Sequence, residues 1–319
     1  MQNGDSGTGA VTATEHQQKP RSGAMAMVLC GFFFSLMSLL VKALGTRMPS
    51  QEVVFARAVV SMVVAYVLVR RARPGNWGHR KGLLFVRGLA GFAALSCFFY
   101  ALIHLPLADA TVIQYTSPVF TAWLGWLVLA EALTLAEAVL SGAGLLGVLL
   151  IARPTFIFGG EMRLDAFATL IGLLGAALSA VAYVSVRKLG KTEHPMIIVF
   201  WFTVVTVPAS LPGMLVSGVV VPTATEVVLL AGVGVTAVLG QLYLTRGLQL
   251  ETAGRATAIG YVQIVFAATW GMIFFHENPD ALSLLGAALV LVSVVTLARR
   301  RGTPEVRAVR AEEGTAEAL

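Results

Sequence analysis

Ten long apolar runs, joined by short polar connections, dominate this 319-residue chain. About 20 apolar residues cover the roughly 30 Å of hydrocarbon in a bilayer. The runs span residues 24–44, 52–70, 83–103, 108–129, 135–152, 166–187, 196–216, 226–247, 254–275 and 281–298. They are continuous rather than alternating apolar/polar dyads, which excludes a transmembrane barrel. A helical bundle is then the remaining way to satisfy the backbone in lipid. Only 13% of residues are charged, against about a quarter in soluble domains, which excludes an ordinary cytosolic enzyme. The fold class read from the sequence is an all-α integral membrane protein with ten transmembrane helices.

Residues 1–22 are polar and lack an apolar core, so they read as a flexible cytoplasmic tail and not a cleaved signal. Residues 299–319 read as a second polar tail. Of 23 Lys and Arg, 18 fall on the side of the N-terminus, Arg87 and Arg255 counted among them, and 4 on the other side. That bias predicts both termini in the cytoplasm, with the chain in the inner membrane of a bacterium. A net charge of +6 would suit nucleic acid in a soluble protein. Here the basic residues cluster between apolar runs and anchor them, so the expected surroundings are the lipid bilayer, with no nucleic-acid partner. Cys30 and Cys97 lie inside apolar runs and read as small buried hydrophobes. No P-loop, H-E-x-x-H, G-x-S-x-G or Cys/His ligand spacing is present, so neither catalysis, a cofactor nor a metal is expected.

The chain also repeats itself. Residues 101–131 align without a gap on 247–277, with ten of 31 positions identical, among them Thr111/Thr257, Tyr115/Tyr261, Gly125/Gly271 and Glu131/Glu277. The offset of 146 residues spans five apolar runs. An odd number of crossings sends the second copy into the membrane from the opposite side, so residues 23–153 and 154–298 read as two inverted five-helix repeats. Such repeats place a site near the midplane, between halves. The segments RGLAGFAALSCFFYALIHLPLADATVIQYTSPVFTAWLGWLVLAE and GQLYLTRGLQLETAGRATAIGYVQIVFAATWGMIFFHE resemble the two EamA repeats of the drug/metabolite transporter superfamily. The resemblance covers about residues 24–298 and implies a ten-helix 5+5 inverted bundle that moves a small molecule. Where the first copy has Pro118 the second has Ile264, so a helix break is expected in the first copy alone.

Polar residues in mid-span are the candidates for a binding site. Gln114, Ser117 and Thr121 share one helical face, beside a carbonyl that Pro118 would free. Tyr115, with Tyr261 and Gln263 in the second copy, adds related polarity, and the two spans are expected to line a shared cavity. For any single residue a helix–helix hydrogen bond is the alternative. His104, Ser35, Ser38, Tyr183, Gln241 and Tyr243 are further lining candidates. Trp123, Trp126, Trp201 and Trp270 could stack on a planar ligand or anchor at an interface. Arg57 lies about 8 Å into its span and either snorkels outward or faces the bundle toward an anionic group.

Glu131 and Glu277, at span ends, read as gate or structural residues. The amide and aromatic content favours an amino acid, a purine-containing metabolite or a drug-like compound as substrate. Sugar phosphates are disfavoured, because phosphate calls for two or more basic groups and Arg57 is alone. A secondary permease is thus the leading reading. A non-transporting receptor or accessory subunit and a lipid-modifying enzyme are the rivals. Direction, coupling and a homodimeric state stay open.

Overall fold

The computed structural model describes residues 19–45, 47–75, 77–131, 133–159, 165–276 and 278–300. Glu277 lies outside the described residues, as do 1–18 and 301–319, while residues 19–22 of the expected tail form the first turn of a helix. The helices are α1 (Lys19–Leu44), α2 (Ser50–Ala72), α3 (Lys81–His104), α4 (Leu107–Gln114), α5 (Ser117–Leu129), α6 (Leu135–Ala152) and α7 (Thr155–Phe158). They continue with α8 (Ala166–Leu189), α9 (Pro195–Ser217), α10 (Ala224–Leu250), α11 (Ala253–Ile259), α12 (Val262–Phe275) and α13 (Ala281–Arg299). Taking α4 with α5 and α11 with α12, ten stretches are long and apolar enough to cross a membrane. No bound departs from the sequence expectation by more than three residues.

Local chemistry sets where the helices start and stop. Thr134 with Glu137 and Thr223 with Glu226 form capping boxes at the starts of α6 and α10. Asp165 and Asp280 accept backbone N–H bonds at the starts of α8 and α13. At the far ends of α5 and α12, Ala130 (φ 56°) and His276 (φ 53°) are left-handed and donate their N–H to Gly125 O and Gly271 O. These are the same two positions of the repeat.

The breaks in the fourth and ninth spans correct a sequence expectation. Both spans break, at Tyr115–Thr116 and at Gly260–Tyr261, within one residue of the same place in the repeat. Pro118 is therefore not required. In the second copy Gly260, a poor helix former, donates to both Ala256 O and Thr257 O, and Tyr261, Gln263 and Ile264 each donate to a carbonyl three residues back. The ladder tightens there. In the first copy Thr116 N and Val119 N likewise donate three residues back, and Thr116 Oγ1 adds a bond to Ile113 O at 2.6 Å.

Helix packing carries the repeat into three dimensions. The main pairs are α1–α10 and α3–α8, then α6–α13 and α2–α9. Next come α2–α10 with α3–α9, and α1–α12 with α5–α8. Exchanging every helix with its counterpart five spans later returns this same set, the pattern that a pseudo-twofold relation between the halves gives. Small residues bring the backbones together, since lipid gives apolar helices no hydrophobic reason to associate. A Cβ at Gly88 would stand 2.8 Å from Val205, and one at its repeat mate Gly234 would stand 2.4 Å from Val60.

Arg255 and Asp109 are repeat mates of opposite charge with one mechanical task. Asp109 accepts from Thr155 N at 2.6 Å and from Thr155 Oγ1 at 2.7 Å, tying α4 to the segment after α6. Arg255 donates to Leu297 O at 2.7 Å and to Arg300 O, tying α11 to the end of α13. Arg255 is 0% exposed, so it is no surface anchor as the loop count assumed. It lies within a helix against carbonyls and Glu251.

The α6–α13 contact gives a sharp test. A Cβ at Gly147 would lie 2.6 Å from Gly286 O, whereas one at Gly142 on the same helix meets nothing within 4 Å. Gly147→Ala is expected to destabilise by about 1–3 kcal/mol through overpacking. Gly142→Ala should be neutral or stabilise by up to about 1 kcal/mol through helix propensity. Melting of the two variants in the same detergent, one below and one at or above wild type, checks both signs.

Candidate functional site

A cavity of about 120 Å³ lies where α2, α3, α4, α8, α9 and α10 meet. That is several times the space one water needs, which is about 10–15 Å³. Its polar lining is Arg57, Arg87, Gln114, Ser179, Tyr183 and Gln241, and Phe98 and Phe202 supply aromatic walls. A smaller void of about 10 Å³ shares Arg57, Phe202 and Gln241 with it and reaches Ser61 and Thr206. Both halves of the chain contribute walls. Arg57 enters from one membrane face and Arg87 from the other, each about 10 Å along its helix.

Arg87, like Arg255, is a residue that the loop count misplaced. It is 2% exposed, the seventh residue of α3. Its Nη2 donates to Gln241 Oε1 at 2.8 Å, and its guanidinium lies 4.3 Å from the centre of the Phe202 ring. Its Nε has no hydrogen-bond partner. The signal was available: Arg87 sits inside the apolar run 83–103, about as deep as Arg57 in the run 52–70. Arg57 itself does not snorkel. It lines both voids and donates to Met37 Sδ at 3.8 Å.

The break in the fourth span positions Gln114. Ending α4 there turns the amide toward α8, where Nε2 donates to Ser179 Oγ at 3.2 Å and Oε1 is left without a partner. Of the sequence candidates, Arg57, Gln114, Tyr183 and Gln241 thus meet in one cavity. The others lie elsewhere. Tyr115 and Tyr261 pack on each other near the pseudo-twofold axis, with ring centres 5.8 Å apart and Tyr261 Oη donating to Tyr115 O at 3.2 Å. Ser117 and Pro118 are buried at the start of α5, and the Ser117 carbonyl accepts from Thr121 Oγ1. Tyr243 stacks on Phe33 across α10 and α1, and Gln263 is half-buried where Gly31 of α1 approaches α12.

His104 stacks on Tyr100 at an exposed helix end. Ser35 accepts from Trp270 Nε1 at 3.0 Å, a tie between α1 and α12, and Ser38 bonds back to Phe34 O. Trp201 donates to Trp77 O at 2.8 Å, outside the cavity. Trp123 and Trp126 are 59% and 58% exposed on the outer surface.

Ionic ties flank the cavity toward each membrane face. On the side of the termini, Glu131 accepts from Arg187 Nε at 2.6 Å and from Ala253 N, at the start of α11, at 2.8 Å. Arg187 also donates to Gln249 O at 2.7 Å. On the opposite side Arg47 pairs with Glu226, Glu52 accepts from Val220 N, and Arg153 pairs with Asp280. The Arg153 guanidinium holds the Asp280 carboxyl well below the usual carboxylate range. Among the described residues no group of three or more His, Cys, Asp or Glu could hold a metal ion.

The model of the EamA-like transporter family matches residues 21–153 and 166–299. The pseudopaline exporter CntI of Pseudomonas aeruginosa is 36% identical over 281 residues, 88% of this chain and 97% of that protein. Solute carrier family 35 member G1 of Mus musculus is 31% identical over 294 residues, covering 88% of this chain and 79% of that protein. The probable transport protein YPL264C of Saccharomyces cerevisiae is 26% identical, covering 90% and 91% of the two chains. A crystal structure of a protein only 15% identical superposes with a TM-score of 0.77 over 87% of this chain and 96% of that one, which speaks for the fold alone. The chain is a membrane transporter of small metabolites and belongs to the EamA-like transporter family.

Proposed function

We propose that this transporter works by alternating access in the bacterial inner membrane, with both termini cytoplasmic. Halves 23–153 and 154–298 rock about the cavity that Arg57, Arg87, Gln114, Tyr183 and Gln241 line. The observation that carries this reading is the cavity itself. It is walled by both halves at mid-depth and flanked on each face by charge pairs that join one half to the other. Arg87 and Arg255 drop out of the surface count, yet the excess of Lys and Arg on the side of the termini keeps its sign and supports the orientation. Similarity to a pseudopaline exporter supports outward movement.

Purified protein in proteoliposomes, tested with pools of labelled amino acids, nucleosides and carboxylates, provides the direct test. Counterflow of one compound that Gln114→Ala lowers by tenfold or more supports the reading. Ligand-induced stabilisation without counterflow in any pool would leave a receptor or accessory subunit. No carboxylate or imidazole lines the cavity among the described residues, so exchange is expected to continue without a pH gradient. Loss of counterflow when the gradient is dissipated would reject that expectation.

Glu131 serves in this reading as a lock on the face of the termini, because it binds α8 and α11 of the second half from the end of α5. Its side chain is 7% exposed, so removing its charge weakens a largely desolvated pair. Cavity access is checked with Ala182→Cys in a Cys30→Ala, Cys97→Ala background and a membrane-impermeant maleimide. Adding Glu131→Gln is expected to speed labelling from that face several-fold. Equal labelling would make Glu131 a purely structural tie.

A further inference from the structure

We propose that the cavity is a site for an organic anion, with Arg57 and Arg87 together holding a carboxylate or phosphate group of the substrate. This rests on the transporter reading and names the substrate class for the same cavity. Two guanidiniums face one space of about 120 Å³, and guanidinium does not deprotonate in proteins. Two unneutralised positive charges at this depth are costly unless something balances them.

The protein's own acids are committed elsewhere. Glu52, Asp109, Asp165, Glu193 and Asp280 accept hydrogen bonds from backbone N–H groups of other segments or of helix starts. Glu137 closes a capping box, Glu226 pairs with Arg47, Glu131 with Arg187, and Glu251 with Arg255. Together these are all the acidic side chains among the described residues, and none lines the cavity. What the arginines do contact is neutral: Met37 sulfur for Arg57, and the Gln241 amide and Phe202 ring for Arg87. A π-face offsets part of the desolvation of a cation.

The unsatisfied valences point the same way. Arg87 Nε is a buried donor without an acceptor. A carboxylate or phosphate oxygen supplies one, and a guanidinium can grip either by two parallel bonds. The hydroxyls of Ser179 and Tyr183 and the amides of Gln114 and Gln241 line the rest of the cavity and can donate to the remaining oxygens. The Gln114 Oε1 acceptor, also unpartnered, suits a hydroxyl or ammonium elsewhere on the same molecule. The pair also removes the sequence objection to phosphate-bearing substrates, which counted one intramembrane arginine.

The test is thermal stabilisation of the purified full-length protein by probes of matched size and different charge. Acetate, succinate, citrate, inorganic phosphate and glycerol phosphate form the anionic arms, with chloride as the simple-ion control. Glycerol and choline are the neutral and cationic arms. At least one organic anion or phosphate is expected to raise the melting temperature saturably, with an apparent affinity at least tenfold weaker in Arg57→Gln and in Arg87→Gln. Arg57→Lys and Arg87→Lys should retain part of it, because charge survives where the fork does not.

Stabilisation by glycerol or choline alone, by chloride alone, or by no anion would overturn the proposal. So would an anion effect that persists undiminished in Arg57→Gln/Arg87→Gln. Should a glutamine variant fail to fold, the charge selectivity of the wild-type protein still decides the class. Counterflow of a neutral compound without anion binding would sink this assignment and leave the permease reading intact.

Discussion

Close approach of helix backbones at small residues is the contact on which this bundle depends. In hydrocarbon a leucine gains as much from a lipid tail as from another leucine, so helices associate where shape lets them come nearest. Gly147 and Gly286 meet each other's carbonyl region between α6 and α13, and Gly88 and Gly234 admit the valines of α9 and α2. Gly175 likewise takes in Cys97 and the Ala94 carbonyl between α8 and α3. Gly88, Gly175 and Gly234 thereby bring α3 to α9, α8 to α3 and α10 to α2, the helices that wall most of the cavity.

Polar chemistry sits on that frame in two layers with different duties. Toward the membrane faces, carboxylates cap helix starts or pair with arginines, where water and headgroups lower the cost of charge. The polar lining of the cavity among the described residues is positive or neutral, in Arg57, Arg87, Gln114, Ser179, Tyr183 and Gln241. Carboxylates kept at the faces, while Arg57 and Arg87 line the cavity, leave that cavity with two cations and no anion among the described residues. The breaks at Tyr115–Thr116 and Gly260–Tyr261 belong to the same design, since ending α4 there is what presents the Gln114 amide to α8.

Tyr115 and Tyr261 show why repetition in sequence is a poor guide to ligand contact. Both are conspicuous, aromatic and matched across the copies, which suggested a shared site. Matched residues that lie near a pseudo-twofold axis, however, meet each other across it, as these two do. There they fill space against each other and against Gly144, and Tyr261 is almost wholly buried. The cavity residues are instead unmatched: Arg57 pairs with the neighbourhood of Phe202 and Arg87 with Val233 under the 146-residue offset. Asymmetry is where the chain departs from its duplicated plan, and there it becomes able to recognise something.

Ten spans, their bounds and the equivalence of the two halves were legible in the residues alone. Hydrophobic length and an odd repeat offset follow from one-dimensional spacing, and the bilayer permits few answers to either. Gln114 could be read as bundle-facing for the same reason, because lipid rejects it, whereas Arg57 has a stem long enough to snorkel and its direction stayed open in the sequence. Which polar residues share one space could not be read, because that depends on the rotation of each helix about its axis, and packing against neighbours sets rotation. Arg87 was visible as a charge inside an apolar run, but only the approach of α3 to α9 and α10 shows that it joins Arg57 rather than a headgroup. The break in the ninth span was hidden as well, since a glycine and local carbonyl sharing achieve without proline what proline advertises in the fourth.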